Sequence, residues 1–308
     1  MREIITFDVF TDTPFLGNPL AIMPDAAGLS TDQMQTLARE LNLSETIFVM
    51  PPENPAHRAK VRIFFPTAEI PFAGHPTIGC AIYLSGLTES RDDSVVEMVL
   101  EEAAGPVPVT VQRVNGVVSA EFCAPVLPQL QRTLDDIALT ARALGLEAGE
   151  IGNAIVATPE VWEAGPSYLL IPVATRAALA RARPMGAHWE KLTDQAQTIS
   201  AWLFVPDDTH GFRARMFSPA GGIPEDPATG SAVVTFAGLL AHHGHCTGKE
   251  TPFSVLQGVE MGRRSEIKAV VAMTDGQLSQ VRIGGTAVAI SSGRIKIPDD
   301  DVLSVKDA

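Results

Sequence analysis

Cysteine is scarce in this chain: Cys80, Cys123 and Cys246 are scattered over 308 positions. An odd, dispersed set makes no disulfide framework, so stability must come from buried apolar surface. Positive charge is short as well, with 23 Lys and Arg against 36 Asp and Glu and a formal net charge of −13. Such a chain does not attract nucleic acid or an anionic membrane, and neither is an expected partner. No apolar run reaches the roughly 18 residues of a membrane span. The opening Met1-Arg2-Glu3-Ile4-Ile5-Thr6-Phe7-Asp8 lacks the uninterrupted apolar core of a secretion signal, so a cytoplasmic location is expected. There is no G-x-G-x-x-G and no G-x-x-x-x-G-K-[ST], so neither a dinucleotide nor a nucleoside triphosphate is indicated. Ser231 lies in no G-x-S-x-G elbow, which disfavours a hydrolase triad.

What is present is a compact composition, 45% hydrophobic and 19% charged, long enough for two domains with separate cores. The most informative stretch is Pro219-Ala220-Gly221-Gly222-Ile223-Pro224-Glu225-Asp226-Pro227-Ala228-Thr229-Gly230-Ser231-Ala232, followed by an apolar run to Ala241. Asp226 suits a helix N-cap and Pro227 the first helical position. Thr229, Gly230 and Ser231 then fall in a first turn whose N–H groups have no intrahelical partner and favour an anion.

This stretch has an echo. Arg62, Phe64, Pro66, Ile70 and Pro71 match Arg215, Phe217, Pro219, Ile223 and Pro224 at a constant offset of 153, about half the chain. Each match leads into a Pro-opened helix, at His75-Pro76 and at Asp226-Pro227. Upstream, Ser44-Glu45-Thr46-Ile47-Phe48-Val49 resembles Ser200-Ala201-Trp202-Leu203-Phe204-Val205. An internal repeat of this kind predicts two related halves, aiming two helix N-termini at one cleft. Where the halves differ is then of interest: Glu45 stands against Ala201, and Gly74-His75 against Glu225-Asp226.

Alternation predicts strands at Ile4–Phe10, Ser44–Met50 and Arg62–Phe65. Ser30-Thr31-Asp32-Gln33 is a capping box before a helix with Met34, Leu37, Ala38 and Leu41 on one face. Residues 95–122 hold several strands. Ala124–Pro128 reads as the domain boundary, Thr133 as the cap of a helix ending at Gly145, and Thr175–Arg183 as a short helix. Phe253–Ile267, Lys268–Met273, Leu278–Ala289 and Arg294–Ile297 read as closing strands, the last returning to the first domain. The expected domains are therefore 1–124, with a C-terminal strand at about 293–308, and 125–292. The fold class is α+β, two pseudo-symmetric domains of mixed or antiparallel sheet, each around a central helix.

A lone strand glutamate such as Glu45 is ordinarily a solvated-face residue. Its counterpart is alanine, however, so the sheet needs no carboxylate there. In an apolar cleft its neutral form gains, which suits proton transfer near neutral pH. His75 belongs to the N-cap region of its helix. Asp226 is explained by capping alone, though a cap facing a cleft also steers a proton. His242-His243-Gly244-His245-Cys246 looks like a metal tract, but the spacing is too dense for one ion, and His near a helix end reads as structural. No metal is expected.

Together, Phe15-Leu16-Gly17-Asn18-Pro19-Leu20-Ala21, Ser44–Val49, Phe72-Ala73-Gly74-His75-Pro76-Thr77, Glu225–Ala232 and Gly258–Ile267 resemble the PhzF-like (phenazine biosynthesis-like) family, in family order over nearly the whole chain. The resemblance implies a diaminopimelate-epimerase-like fold and a homodimer. It implies an acid–base role for Glu45, with His75 and Asp226 beside the substrate. It also implies substrate contacts from Asn18, Gly74, Pro76, Thr77, Thr229, Gly230 and Ser231. The implied activity is a cofactor-independent isomerisation of a small cyclic carboxylate, like that of trans-2,3-dihydro-3-hydroxyanthranilate. Racemases of this fold use a cysteine at each helix N-terminus; Ala73 and Ala228 stand there here, which disfavours a two-thiol enzyme. Arg264 departs from the proline many relatives carry. The alternative from another class is a non-catalytic binding protein that keeps the cleft.

Overall fold

In a computed structural model, which describes residues 1–90 and 92–299, the chain divides into two units. The first holds Met1–Pro125 and the segment from Gly285 on, and the second Val126–Gly284. The expected returning strand at about 293–308 is described only to residue 299, and its remainder lies outside the described residues.

The first unit runs β1 (Arg2–Val9), β2 (Asn18–Met23), α1 (Thr31–Leu41), β3 (Glu45–Met50), β4 (Ala59–Phe64), β5 (Glu69–Ile70), α2 (Gly74–Ser85), β6 (Ser94–Glu102), β7 (Gly105–Val114) and β8 (Val117–Cys123). The second runs β9 (Gln129–Thr133), α3 (Ile137–Leu144), β10 (Glu160–Glu163), β11 (Ser167–Pro172), α4 (Arg176–Arg181), α5 (Gly186–Ala196), β12 (Ala201–Asp207), β13 (Gly211–Ser218), β14 (Ile223–Asp226), α6 (Gly230–His242), β15 (Glu250–Gln257), β16 (Ser265–Thr274) and β17 (Gln277–Ile295). Strand β17 begins in the second unit and ends in the first, where Ala287–Ile295 pairs with β1.

The two halves repeat one pairing scheme. In the first, β1–β2 is antiparallel, β2–β3 parallel, β3–β4 antiparallel, β4–β6 parallel, and β6–β7–β8 an antiparallel meander. In the second, β10–β11, β11–β12, β12–β13, β13–β15 and β15–β16–β17 follow the same alternation. Each row of strands wraps a central helix. Helix α2 packs against β1, β2, β3, β6, β7 and β8, and α6 against β9, β10, β11 and β16. Neither helix carries Asp, Glu, Lys or Arg, and such all-round apolarity marks a fully buried helix. The expected α+β architecture, a sheet around a central helix in each half, is what forms.

A second layer covers the outer sheet faces. Met34 and Leu37 of α1 pack with Met23, Phe48 and Phe64. Leu139, Leu179, Trp189 and Leu192 of α3–α5 pack with Leu169, Leu203 and Phe217. Strands covered on both sides lose the in–out alternation, and β3 and β12 are buried almost end to end. Close wrapping also requires glycine on the central helices. A Cβ on Gly79 would meet Leu20 Cδ2 at 2.6 Å, and one on Gly238 would meet Pro128 Cγ at 2.6 Å.

The capping box at Ser30 and Gln33 forms in both directions, Thr175 caps α4, and Gly145 ends α3 in the left-handed region. Other boundaries differ. Thr133 ends β9 instead of capping a helix; the cap of α3 is Asp136, whose carboxylate accepts from Leu139 N. Asp226 is not an N-cap, because the chain stays extended through it as β14 and α6 begins only at Gly230, after Thr229. Phe253–Ile267 is two strands broken by the turn at Gly258–Arg264, whereas the two segments between Leu278 and Ile297 fuse into β17. Helix α5, with Trp189, Leu192 and Ala196 buried on one face, and strand β10 lie outside the expected elements.

Candidate active site

In the first unit, Asn18 opens β2 and Glu45 opens β3, adjacent parallel strands in which Leu20 lies opposite Glu45. Helix α2 brings up His75, its second residue, with Ala73 as the N-cap. His75 Nδ1 is 3.2 Å from Glu45 Oε2 and 3.3 Å from Asn18 Nδ2. All three are buried: Glu45 is 6% exposed, His75 3% and Asn18 0%. Glu45 is thus no solvated-face residue.

Burial pushes the His75 imidazole down to about 3, with the Pro19 backbone opposing the shift. The ring is neutral at neutral pH, so its 3.2 Å approach to Glu45 is no ion pair. A neutral imidazole has one donor nitrogen and one acceptor. Its Nδ1 faces two polar side chains, the Asn18 amide and the Glu45 carboxyl.

The remaining residues expected here on α2 divide. Gly74 is the first residue of the helix and Pro76 the third, while Thr77 faces inward. Its Oγ1 is 2.7 Å from the Ala73 carbonyl oxygen and 2.6 Å from Glu102 Oε1. With its N–H directed to Ala73 O as well, Thr77 ties the helix start together through both side chain and backbone.

In the second unit, Asp226, Thr229, Gly230 and Ser231 cluster at the start of α6. The Thr229 hydroxyl is 2.5 Å from Asp226 Oδ2. Gln257 fixes this pair. Trp202 Nε1–H donates to Gln257 Oε1 at 2.9 Å, and an indole nitrogen only donates, so that end of the amide is the acceptor. Gln257 Nε2 then donates to the Asp226 carbonyl at 2.8 Å and to Thr229 Oγ1 at 3.0 Å. Having accepted there, Thr229 points its own proton at the Asp226 carboxylate. Ser231 Oγ meets Tyr168 Oη at 2.7 Å.

Glu102, Tyr168, Trp202 and Gln257 escaped the sequence reading. Gln257 had a signal, since it directly precedes the Gly258–Ile267 motif. Glu102 had none: beside Glu101 it reads as a solvated charge pair. The dense histidine tract spreads apart. His243 Nε2 meets Glu160 Oε1 at 2.8 Å, His245 Nε2 the Ile155 carbonyl at 3.0 Å, and His242 packs edge-on to Trp162. Neither α2 nor α6 has a thiol in its first turn, and burial pushes the Cys80 thiol up.

A family model described as phenazine biosynthesis-like protein matches residues 7–293. The chain is 42% identical over 308 residues to an uncharacterized isomerase of Mesorhizobium japonicum, covering 96% of this chain and 99% of the relative. It is 35% identical over 295 residues to the trans-2,3-dihydro-3-hydroxyanthranilate isomerase of Pseudomonas chlororaphis, again covering 96% and 99%. A crystal structure of a PhzF-family phenazine biosynthesis protein of Bacillus anthracis superposes with a TM-score of 0.84 at 24% identity, covering 96% and 99%. The chain belongs to the phenazine biosynthesis-like family, with the epimerase-like fold of that family. It is an isomerase of the PhzF type. Among the described residues no helix is long and apolar enough to cross a membrane.

Proposed function

We propose that this isomerase moves a proton between two carbons of a small cyclic carboxylate without a cofactor, with Glu45 as the group that carries it. The observation that supports this is the burial of Glu45, with its Oε2 3.2 Å from Nδ1 of a neutral imidazole. As a carboxylate Glu45 accepts a proton from one carbon beside the neutral ring. As an acid it returns that proton to another carbon on the same face. General acid–base catalysis of this kind contributes about 10²–10⁴ in rate.

Asn18 holds the imidazole in place, and Gly74 and His75 offer first-turn N–H groups to the substrate carboxylate. Asp226 assists the transfer, with Thr229 and Ser231 in supporting polar roles and the Gly230 N–H as the equivalent donor on α6. The substrate reading follows the relative from Pseudomonas chlororaphis, whose name specifies trans-2,3-dihydro-3-hydroxyanthranilate. Homodimerisation is proposed on the family resemblance alone.

The test is proton NMR in D₂O with trans-2,3-dihydro-3-hydroxyanthranilate, for the wild type and Glu45→Gln. Loss of substrate signals with deuterium in the product, absent in the variant, is the expected result. Full turnover by Glu45→Gln overturns the mechanism. No turnover by either protein removes the named substrate and brings forward a non-catalytic binding role, checked by titrating cyclic carboxylates against Glu45 and His75 resonances.

A further inference from the structure

Behind the start of α2, a proton count fixes the state of a carboxyl that the proposed chemistry does not use. Thr77 Oγ1 contacts the Ala73 carbonyl oxygen at 2.7 Å and Glu102 Oε1 at 2.6 Å, and Thr77 is fully buried. A hydroxyl owns one proton, and a carbonyl only accepts. One proton cannot serve both oxygens, so both short contacts are hydrogen bonds only if Thr77 donates to Ala73 and the carboxyl donates to Thr77. Glu102 Oε2 has no hydrogen-bond partner among the described residues. A carboxylate would leave half its charge desolvated on that oxygen, whereas the carbonyl of an acid loses far less.

The second half of the chain supplies an independent observation. Glu102 is the last residue of β6 and Gln257 the last of β15, strands that hold equivalent places in the two pairing schemes. Gln257 also reaches the start of its central helix and donates to a threonine hydroxyl there. An amide is the permanently neutral, proton-donating analogue of a carboxylic acid. The same position thus carries a donor in both halves.

We infer that Glu102 is a positioning residue kept as a carboxylic acid, donating to Thr77, which in turn donates to the Ala73 carbonyl and so fixes the turn that carries Gly74 and His75. Its relevance to catalysis rests on the role proposed above for His75. Burial pushes the Glu102 carboxyl up to about 8. On deprotonation, three acceptor oxygens share one proton and the turn loosens.

No neighbouring charge reverses this state. On α2 the facing titratable group is Cys80, which Glu102 itself helps to hold protonated and which Arg58 opposes. On the groove side of β6, Lys60 pairs with Glu53 and Arg62 with Glu69, while the His57 ring meets Glu101. His75, neutral down to about 3, does not titrate in the relevant range.

The sign of the linkage is fixed. The folded value lies above the ordinary 4.5, so the stabilisation is complete below that value and is lost as pH rises towards about 8. The test is an infrared difference spectrum of wild type against Glu102→Gln, with selectively labelled His75 followed by NMR over the same pH range. At about pH 6 the wild type should show a carboxylic-acid carbonyl band that the variant lacks and that disappears with a midpoint near 8. The His75 ring signals should move with that midpoint in the wild type and stay flat in Glu102→Gln. Absence of the band overturns the inference, and so does a His75 ring that ignores the titration. Should Glu102→Gln not fold, Thr77→Val leaves the acid without its partner. The band must then shift in frequency, and an unshifted band overturns the assignment. No readout involves turnover, so failure of the proposed reaction and failure of this inference are separate results.

Discussion

The two central helices start differently although the strands around them pair alike. At α2 the polar groups are Asn18, Glu45 and His75, a carboxyl resting on a neutral ring. At α6 the carboxyl of Asp226 rests on the hydroxyl of Thr229, which Gln257 and Trp202 orient in turn. Glu45 thus has a neutral ring beside it, whereas Asp226 accepts a hydroxyl proton. The repeat therefore supplies two equivalent sockets filled by different side chains, to which the proposed mechanism gives different tasks. The β3 position that holds Glu45 is Ala201 in β12, so the scaffold does not require a carboxylate there.

The largest effect should come from erasing that asymmetry. Glu45→Gln should lower kcat by about 10²–10⁴, the usual worth of a positioned acid or base. Asp226→Asn keeps a carbonyl for the Thr229 proton and should lower kcat less, by about tenfold. Pre-steady-state deuterium exchange into substrate separates them: Glu45→Gln should abolish exchange, and Asp226→Asn should only slow it. Equal losses in the two variants would break the division of labour.

A second comparison needs no substrate. Arg62 and Arg215, matched in the repeat, each grip a carboxylate, Glu69 and Glu225, and each lies over an aromatic ring, Phe64 at 5.1 Å and Phe217 at 4.7 Å. Their surroundings differ. The Arg62 side chain is 23% exposed, while that of Arg215 is 9% exposed and also donates to the carbonyls of Leu179, Ala180 and Ala182, closing the end of α4. Arg215→Ala should cost about 3 kcal/mol, the low end for a buried pair, because a partly buried carboxylate and several carbonyls lose their partner. Arg62→Ala should cost about 0.2–1 kcal/mol, as surface pairs do. Chemical denaturation of both variants checks the contrast.

The repeat made much of this legible. Matches at Arg62 and Arg215, at the strands of Glu45 and Ala201, and at the two Pro-containing helix starts identify two related halves and the residues that differ between them. Boundaries were less legible where a local signal was overridden. Asp226-Pro227 has the chemistry of a helix start, but pairing with β13 keeps the chain extended through Asp226. The enclosure of Glu45 was not legible, since a lone strand glutamate reads as a solvated-face residue and β3 is instead covered on both sides. Glu102 and Gln257 were hidden for another reason. Each acts across the unit on a helix start far away in sequence, and no local pattern links Glu102 to Thr77 or Gln257 to Thr229.

Those two supports provide the mildest test. Gln257→Leu removes the acceptor of the Trp202 indole N–H and both donors to the Asp226–Thr229 turn. The cost should be about 1–3 kcal/mol, set by the buried groups left unpaired. Gln257→Glu should cost less at low pH, where an acid still accepts from Trp202 and donates one of the two bonds. As pH rises the carboxylate loses that donation, and the cost should grow towards that of Gln257→Leu. Unfolding midpoints at matched pH values read this directly. Glu102→Gln should remove a pH dependence from the first unit, and Gln257→Glu should install one in the second. If both variants instead track the wild type across that range, the two strand ends are not equivalent supports. The likeness between the halves would then stop at the backbone.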